Sequence, residues 1–290
     1  MKIITWNVNG IRSRIFNDKI SSKLNKDDIV PTPDSPIDLI LKKHSPDLIC
    51  LQETRCGITK SEKIKINGYN SFFNESKLDG ARSCDRYSGT AIFYKENLNV
   101  LNIETSIPGF QNDEGRIIIM YLEEFTIINV YAPNSGTNYD SKINFINCML
   151  SFLDKLEGKV IFCGDMNIAI STHFDQTLVE PSPGIYPHEI NFYKQLLDIN
   201  FKDSISADDN IIYTWWDLRQ KKENGMSVCR NRNKGWRLDY FFIKNINQAF
   251  SICLKHIGEN NLGIPLASDH APVLLTLFNQ IPFVQPKKPF

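Results

Sequence analysis

Five short stretches of this 290-residue chain share one arrangement, an apolar, strand-like run that ends in polar side chains. They are Trp6-Asn7-Val8-Asn9-Gly10, Leu51-Gln52-Glu53-Thr54, Val130-Tyr131-Ala132-Pro133-Asn134, Cys163-Gly164-Asp165-Met166-Asn167 and Ala267-Ser268-Asp269-His270. Taken singly, Asn or Asp after a strand is most simply a turn former. Five together, pooling carboxylates, amides, a tyrosine and a histidine, exceed what turns require. A strand end holds a side chain rigidly and leaves its tip in a cleft, which suits pre-organised catalysis. Carboxylates and amides without a His/Cys ligand cluster favour a hard divalent cation, magnesium with manganese as a substitute. Such an ion beside an Asp, a His and amides is equipped for attack of water on a phosphodiester. Ion and donors stabilise charge on the phosphoryl oxygens, and a carboxylate orients or deprotonates the water.

The G-x-S-x-G, G-x-x-x-x-G-K and H-E-x-x-H patterns are absent, which removes the commonest serine hydrolase, P-loop and zincin readings. Hydrophobic residues at 42% and charged residues at 23% are the mix of a soluble globular enzyme. No apolar run approaches the length of a membrane span. The seven cysteines are scattered and never spaced C-x-x-C, which argues against a zinc knuckle or disulfide framework and for a reducing compartment. The N-terminus reads directly as a strand, so an intracellular, non-secreted protein is expected. The net charge of zero argues against a nucleic-acid partner, but its distribution does not. Arg219, Lys221, Lys222, Arg230, Arg232, Lys234 and Arg237 face only Glu223 within their stretch, and Arg12 and Arg14 follow the first strand. These are candidate phosphate contacts, against the simpler reading of a solvated basic loop.

The elements that must position these residues are short apolar runs, most followed by Gly, Asn or Asp, with helical stretches between some. Strands are predicted at 2–7, 48–52, 89–94, 116–122, 126–131, 160–163, 237–243 and 273–277, and helices at 37–44, 139–156 and 190–197. Ser45-Pro46-Asp47 ends the first helix, because the residue before proline avoids the helical region. Hairpins mixed with crossovers point to an α/β fold, a four-layer sandwich of two packed mixed β-sheets flanked by helices. Residues 1–280 read as a single catalytic domain. Residues 17–36 and 218–235 read as surface insertions, and 281–290 as an extended tail.

In this order, the five motifs resemble the exonuclease III branch of the endonuclease/exonuclease/phosphatase superfamily, the apurinic/apyrimidinic (AP) endonucleases. The resemblance runs from Lys2 to about Leu277. Gly164-Asp165-Met166-Asn167 and Ser268-Asp269-His270 are shared by the superfamily. Gly235-Trp236-Arg237-Leu238-Asp239-Tyr240-Phe241 and Gly184-Ile185-Tyr186-Pro187-His188-Glu189 resemble the AP endonuclease branch. The resemblance implies Glu53 as principal magnesium ligand, with Asn7 and Asp269 in the metal environment. It implies that Asp165 orients or deprotonates water with Asn167 beside it, and that His270, paired to Asp239, faces the scissile phosphate. Tyr131 and Asn134 would contact the phosphate and Arg116 would support Tyr131. Asn9 stands where some relatives carry Asp, which removes one charged ligand.

An abasic sugar lacks its base, so a small apolar pocket can admit it and exclude ordinary nucleotides. Trp215, Trp236 and Leu238 match the family positions forming that pocket, with Trp215 bulkier than the usual Phe. Core packing of aromatics is the bland alternative. Arg12, Ser13, Arg55 and Tyr87 fall where relatives touch the DNA backbone. Thr137 falls where a relative inserts an arginine into the duplex, and the longer basic loop would compensate.

The implied activity is class II AP endonuclease action in base excision DNA repair, hydrolysis 5′ to an abasic site. The same phosphate site would serve 3′-to-5′ exonuclease and 3′-phosphodiesterase activity. The partner would be double-stranded DNA containing abasic sites, with no membrane, and the chain a monomer. The rival readings are another nuclease or phosphatase of the superfamily, or a non-catalytic DNA-binding protein.

Overall fold

Side chains alternate across a strand, so each apolar run has two destinations. On Lys2–Asn7, Ile3 enters one buried cluster while Ile4 and Trp6 enter another. On Val160–Asp165, Ile161 and Cys163 join the cluster of Ile3, whereas Val160 and Phe162 join a third. The shared cluster lies between two sheets and the other two lie outside them. A computed structural model shows this arrangement and describes residues 1–16, 28–78, 87–170, 181–205, 212–218, 222–223, 226–254 and 267–278. In chain order the elements are β1 (Lys2–Asn7), α1 (Ile11–Ile15), α2 (Pro36–His44), β2 (Leu48–Gln52), α3 (Ile58–Ser61), β3 (Tyr69–Asn74) and β4 (Thr90–Lys95). There follow β5 (Val100–Glu104), β6 (Ile117–Leu122), β7 (Thr126–Tyr131), α4 (Tyr139–Asp154), β8 (Val160–Asp165), α5 (Pro187–Asp198) and β9 (Lys202–Asp203). The rest are β10 (Lys222–Glu223), β11 (Met226–Ser227), α6 (Val228–Asn231), β12 (Asp239–Lys244), β13 (Ala249–Cys253) and β14 (Val273–Leu277).

One six-stranded sheet has the order β13-β14-β1-β2-β4-β3 and the other β5-β6-β7-β8-β12-β9. Each is mixed, with one central parallel pair, β1 with β2 and β7 with β8, and antiparallel neighbours on both sides. Helices carry each parallel crossover. Ile11, Ile15, Ile37 and Ile40 of α1 and α2 cover the outer face of the first sheet. Phe145, Met149 and Leu153 of α4, with Phe192 and Leu196 of α5, cover the second. This is the expected four-layer sandwich. Pro36 occupies the first turn of α2, Ser35 Oγ accepts from Asp38 N at 3.4 Å, and the helix ends on left-handed Ser45 just before Pro46.

Two expectations change. The strand predicted at 160–163 runs on to Asp165, because the ladders to β7 and β12 continue through Gly164. The described part of the 17–36 insertion is not all surface loop. Ile29 is buried and bridges to Ile64, an apolar residue recruited to the outer core, and Pro36 opens a helix. The remainder of that insertion, part of 218–235 and the 281–290 tail lie outside the described residues.

Candidate active site

The inner faces of the strands are apolar along most of their length and polar at one end. On β1 the inward positions are Ile3, Thr5 and Asn7, and on β8 Ile161, Cys163 and Asp165. On β12 they are Asp239, Phe241 and Ile243, and on β7 Ile127, Asn129 and Tyr131. Register then fixes neighbours. Tyr131 and Asp239 both pair with Asp165, which puts all three in one row across the second sheet. Asn7 pairs with Gln52 in the first sheet. The two rows face each other across the sandwich, and Asn7 Nδ2 donates to Asp165 Oδ2 at 2.9 Å and to Glu53 Oε1 at 3.0 Å.

Three loops complete the mouth. Past β1 and β2 the chains stay zipped, Val8 N to Gln52 O at 3.0 Å and Gly10 N to Glu53 O at 2.8 Å. Asn9, Glu53 and Asn167 all have left-handed backbones, with φ of 47°, 49° and 47°. Asparagine tolerates this; at Glu53 it costs about 1–3 kcal/mol, which the zipped loops must offset. Asn9 donates to Asp269 Oδ1 at 2.9 Å and Trp215 Nε1 to Asp269 Oδ2 at 3.1 Å. Ser268 Oγ donates to Asn7 O at 2.7 Å, tying the Ser268–His270 turn to β1. Trp6 Nε1 anchors the His270 carbonyl at 3.0 Å.

Asp239 is fully buried and its Oδ2 lies 2.8 Å from His270 Nδ1, while His270 Nε2 lies 3.7 Å from Asp165 Oδ2. Burial pulls the His270 imidazole down, but Asp239 and Asp165 outweigh it and raise its pKa to about 10. Burial, with Asp239 adding to it and His270 opposing, pushes Asp165 up to about 7. Asp269 is also opposed by burial, yet the charge on His270 and the bonds from Asn9 and Trp215 hold it below the usual carboxylate range. Oxygen and nitrogen atoms of Asp165, Asp239 and His270 all fall within 4.8 Å, a separation compatible with a metal. A histidine protonated on both ring nitrogens has no lone pair to give, so we read this trio as a proton-holding cluster.

Tyr131 is half-buried at the end of β7, with burial and Glu53 raising its hydroxyl well above the ordinary range. Arg116 stacks over its ring at 4.6 Å and donates to its carbonyl at 2.9 Å, held from behind by Glu114 at 2.5 Å. Asn134 Nδ2 donates to Asn167 Oδ1 at 3.2 Å, and Asn167 Nδ2 to Ala132 O at 2.9 Å.

Trp215, Trp236 and Leu238 do come together, joined by Ile185 of the Gly184–Glu189 motif and by Ala169, neither of which the sequence assigned to the pocket. The indoles meet edge-on, centroids 6.3 Å apart. A Cβ on Gly184, whose φ is +99°, would lie 2.6 Å from the Trp236 ring, so glycine is what allows the ring its place. A bridge from Trp215 to His270 joins this apolar patch to the proton cluster.

The expected backbone contacts are more mixed. Arg12 lies on α1, partly exposed, and the Ser13 side chain lies outside the described residues. Arg55 is ion-paired with Glu53, and Tyr87 OH accepts from Arg116 at 2.9 Å. Thr137 donates to Asn134 O at 3.1 Å and is exposed. In the basic stretch, Arg230 lies over the buried Trp216 ring at 4.4 Å, while Arg232 and Lys234 are exposed. Arg237 is buried against Asp203, so it is removed from the phosphate candidates. Also unforeseen was Thr214, whose Oγ accepts from Leu238 N at 3.0 Å and Asp239 N at 3.1 Å. An isolated Thr gives no pattern to find. A cleft of about 540 Å³ at the opposite end of the strands, beside Met1, Lys159 and Phe278, holds none of these groups.

Residues 4–270 match the family described as the Endonuclease/Exonuclease/phosphatase family. Among curated proteins the chain is similar to an exodeoxyribonuclease of Bacillus subtilis (strain 168), 29% identical over 292 residues covering 96% of this chain and 99% of the other. It is similar also to a DNA-(apurinic or apyrimidinic site) endonuclease of Dictyostelium discoideum, 28% identical over 291 residues covering 94% and 69%. Among solved structures, the 3′-5′ exonuclease NExo of Neisseria meningitidis superposes with a TM-score of 0.72 at 21% identity, covering 96% and 99%. At that identity the likeness carries the fold.

Proposed function

The chain belongs to the endonuclease/exonuclease/phosphatase family, and from that premise we propose that it is a metal-dependent phosphodiesterase incising DNA 5′ to an abasic site. Residues 1–280 would form the single catalytic domain, acting as a monomer on duplex DNA. Among the described residues no helix is long and apolar enough to cross a membrane. The observation that carries the reading is the junction of two features. A row of Tyr131, Asp165 and Asp239, closed by His270, adjoins an apolar patch of Trp215, Trp236 and Leu238.

In this reading Asp165 orients water and takes its proton, with its carboxylate held by Asn7 Nδ2 and Asn167 N. His270, kept protonated by Asp239, offers Nε2 to a phosphoryl oxygen, and Tyr131, Asn134 and Asn167 fix the phosphate. Glu53, Asn7 and Asp269 would hold the metal. The donor chemistry fits: Glu53 and Asp269 are joined through Asn7 and Asn9, and with Asp165 and Asp239 they make four carboxylates against two cationic partners, His270 and Arg55. Bound there, magnesium, or manganese in its place, supplies charge stabilisation at the phosphoryl oxygens. The patch would receive the base-less sugar, and Arg12, Ser13, Arg55, Tyr87 and the basic 218–235 stretch the DNA backbone.

The test is incision of a duplex carrying one tetrahydrofuran abasic analogue. Wild type with magnesium should cut it, EDTA should abolish cutting, and Asp165→Asn and His270→Asn should each lower the rate by about 10²–10⁴. Intact duplex with wild type would sink the proposal, while removal only of 3′-terminal groups would move it to a 3′-end-processing enzyme.

A further inference from the structure

The apolar stripe of α4 that faces the second sheet reads Lys142, Phe145, Ile146, Met149, Leu153, so a lysine occupies a core position. It is 0% exposed. A buried ammonium is costly unless paired and hydrogen-bonded. Lys142 Nζ donates to Met166 O at 2.6 Å and to Asn167 O at 3.3 Å. Burial lowers its pKa to about 8, with Glu189 and Asp165 supporting the charge and Arg116 opposing it. At neutral pH it therefore remains charged.

The first of these carbonyls belongs to the peptide unit that joins Met166 to Asn167. The N–H of that same unit is Asn167 N, which donates to Asp165 Oδ1 at 2.9 Å. A peptide is planar, so fixing its carbonyl fixes the direction of its N–H. The Asn167 side chain then reaches Ala132 O and Asn134. On the other side, Glu189 accepts from Gly184 N and Tyr186 N at 2.8 Å each and from Ser135 Oγ at 2.6 Å. The charge opposite Lys142 thus secures the loop under Trp236.

We propose that Lys142 is a positioning residue: it clamps the Met166–Asn167 peptide so that its N–H aims at Asp165 Oδ1 and its side chain stays turned to the phosphate. The catalytic consequence rests on the phosphodiesterase reading; the clamp does not. Removing the ammonium would leave two buried carbonyls without their donor and the plane free to turn.

Two readouts on Lys142→Met separate these claims. Hydrogen exchange at the Asn167 amide should quicken by roughly tenfold while exchange in β6 and β7 stays put. On the abasic duplex kcat should fall by roughly ten- to a hundredfold with KM within about twofold, the pattern of misalignment. Lys142→Arg, which keeps charge and donors, should recover most of both. Unchanged Asn167 exchange, or an Arg variant no better than Met, overturns the clamp. Faster exchange in a protein whose wild type leaves abasic DNA intact would refute the functional reading and leave the clamp standing. Should both variants fail to fold, wild type labelled with ¹⁵N-lysine still decides. A Lys142 ammonium exchanging as fast as surface lysines would refute the clamp.

Discussion

A proton held among Asp165, Asp239 and His270 sets how the site answers to pH. In the proposed mechanism water activation would need Asp165 ionised, and its pKa of about 7 places a rise in rate through neutral pH. A cation at Glu53 and Asn7 would move that rise lower. In the same mechanism phosphate contact would need His270 protonated, and its pKa of about 10 places the fall on the alkaline side. Incision measured across pH should therefore be bell-shaped. Asp239 is the largest influence raising His270, so Asp239→Asn should draw the alkaline limb several pH units toward the ordinary imidazole value of about 6.5. An alkaline limb that ignores this substitution would assign the proton elsewhere. Part of this was legible: residue types offered Ser-Asp-His before a strand, and the family resemblance named Asp239 as the partner of His270. The bonds that make Asp269 a shared acceptor for Asn9 and Trp215 were not, because they join residues far apart in sequence.

At the scale of elements, every strand that composition and alternation predicted was found, and those missed share a cause. In the two large sheets the missed strands are β3, β5, β9 and β13, the outermost strands of each. An edge strand is covered on fewer sides, so its sequence need not be a continuous apolar run; Val100–Glu104 has no buried position and Ala249–Cys253 only one, Ser251. The extension of β8 to Asp165 was hidden by Gly164, read as punctuation. Its φ is +134° and a Cβ there would sit 1.9 Å from Val130 O, so the glycine permits β7 and β8 to pair up to the row of Tyr131 and Asp165. Gly164→Ala should lower stability by about 1–3 kcal/mol in urea unfolding and depress incision more than that loss explains. For the basic stretch, Arg232→Ser with Lys234→Ser should weaken duplex binding and flatten its log-log salt dependence by about one unit for each phosphate no longer neutralised. Equal slopes would return this loop to a solvated surface.

Across the whole molecule the two sheets follow one plan, and their polar ends must meet. Below the mouth a buried amide relay does the joining. Asn129 of the second sheet donates to Leu51 O at 3.1 Å and Ala91 O at 3.0 Å, and accepts from Gln52 Nε2 at 2.7 Å, all on the first sheet. No sequence pattern announces this, since an Asn inside an apolar strand looks like a defect until its partners are known. Asn129→Ala should cost about 3 kcal/mol, because several buried groups lose their partner, with the urea midpoint as the measure. Glu53, Asn7 and His270 ride on one sheet and its connections, Asp165, Asp239 and Tyr131 on the other. The proposed reaction centre is thus a vernier between two plates, and a slip too small to alter secondary structure is large at the scale of a hydrogen bond. On gentle heating, activity should disappear ahead of the far-ultraviolet dichroism, and the enzyme would report its own misalignment before it melts.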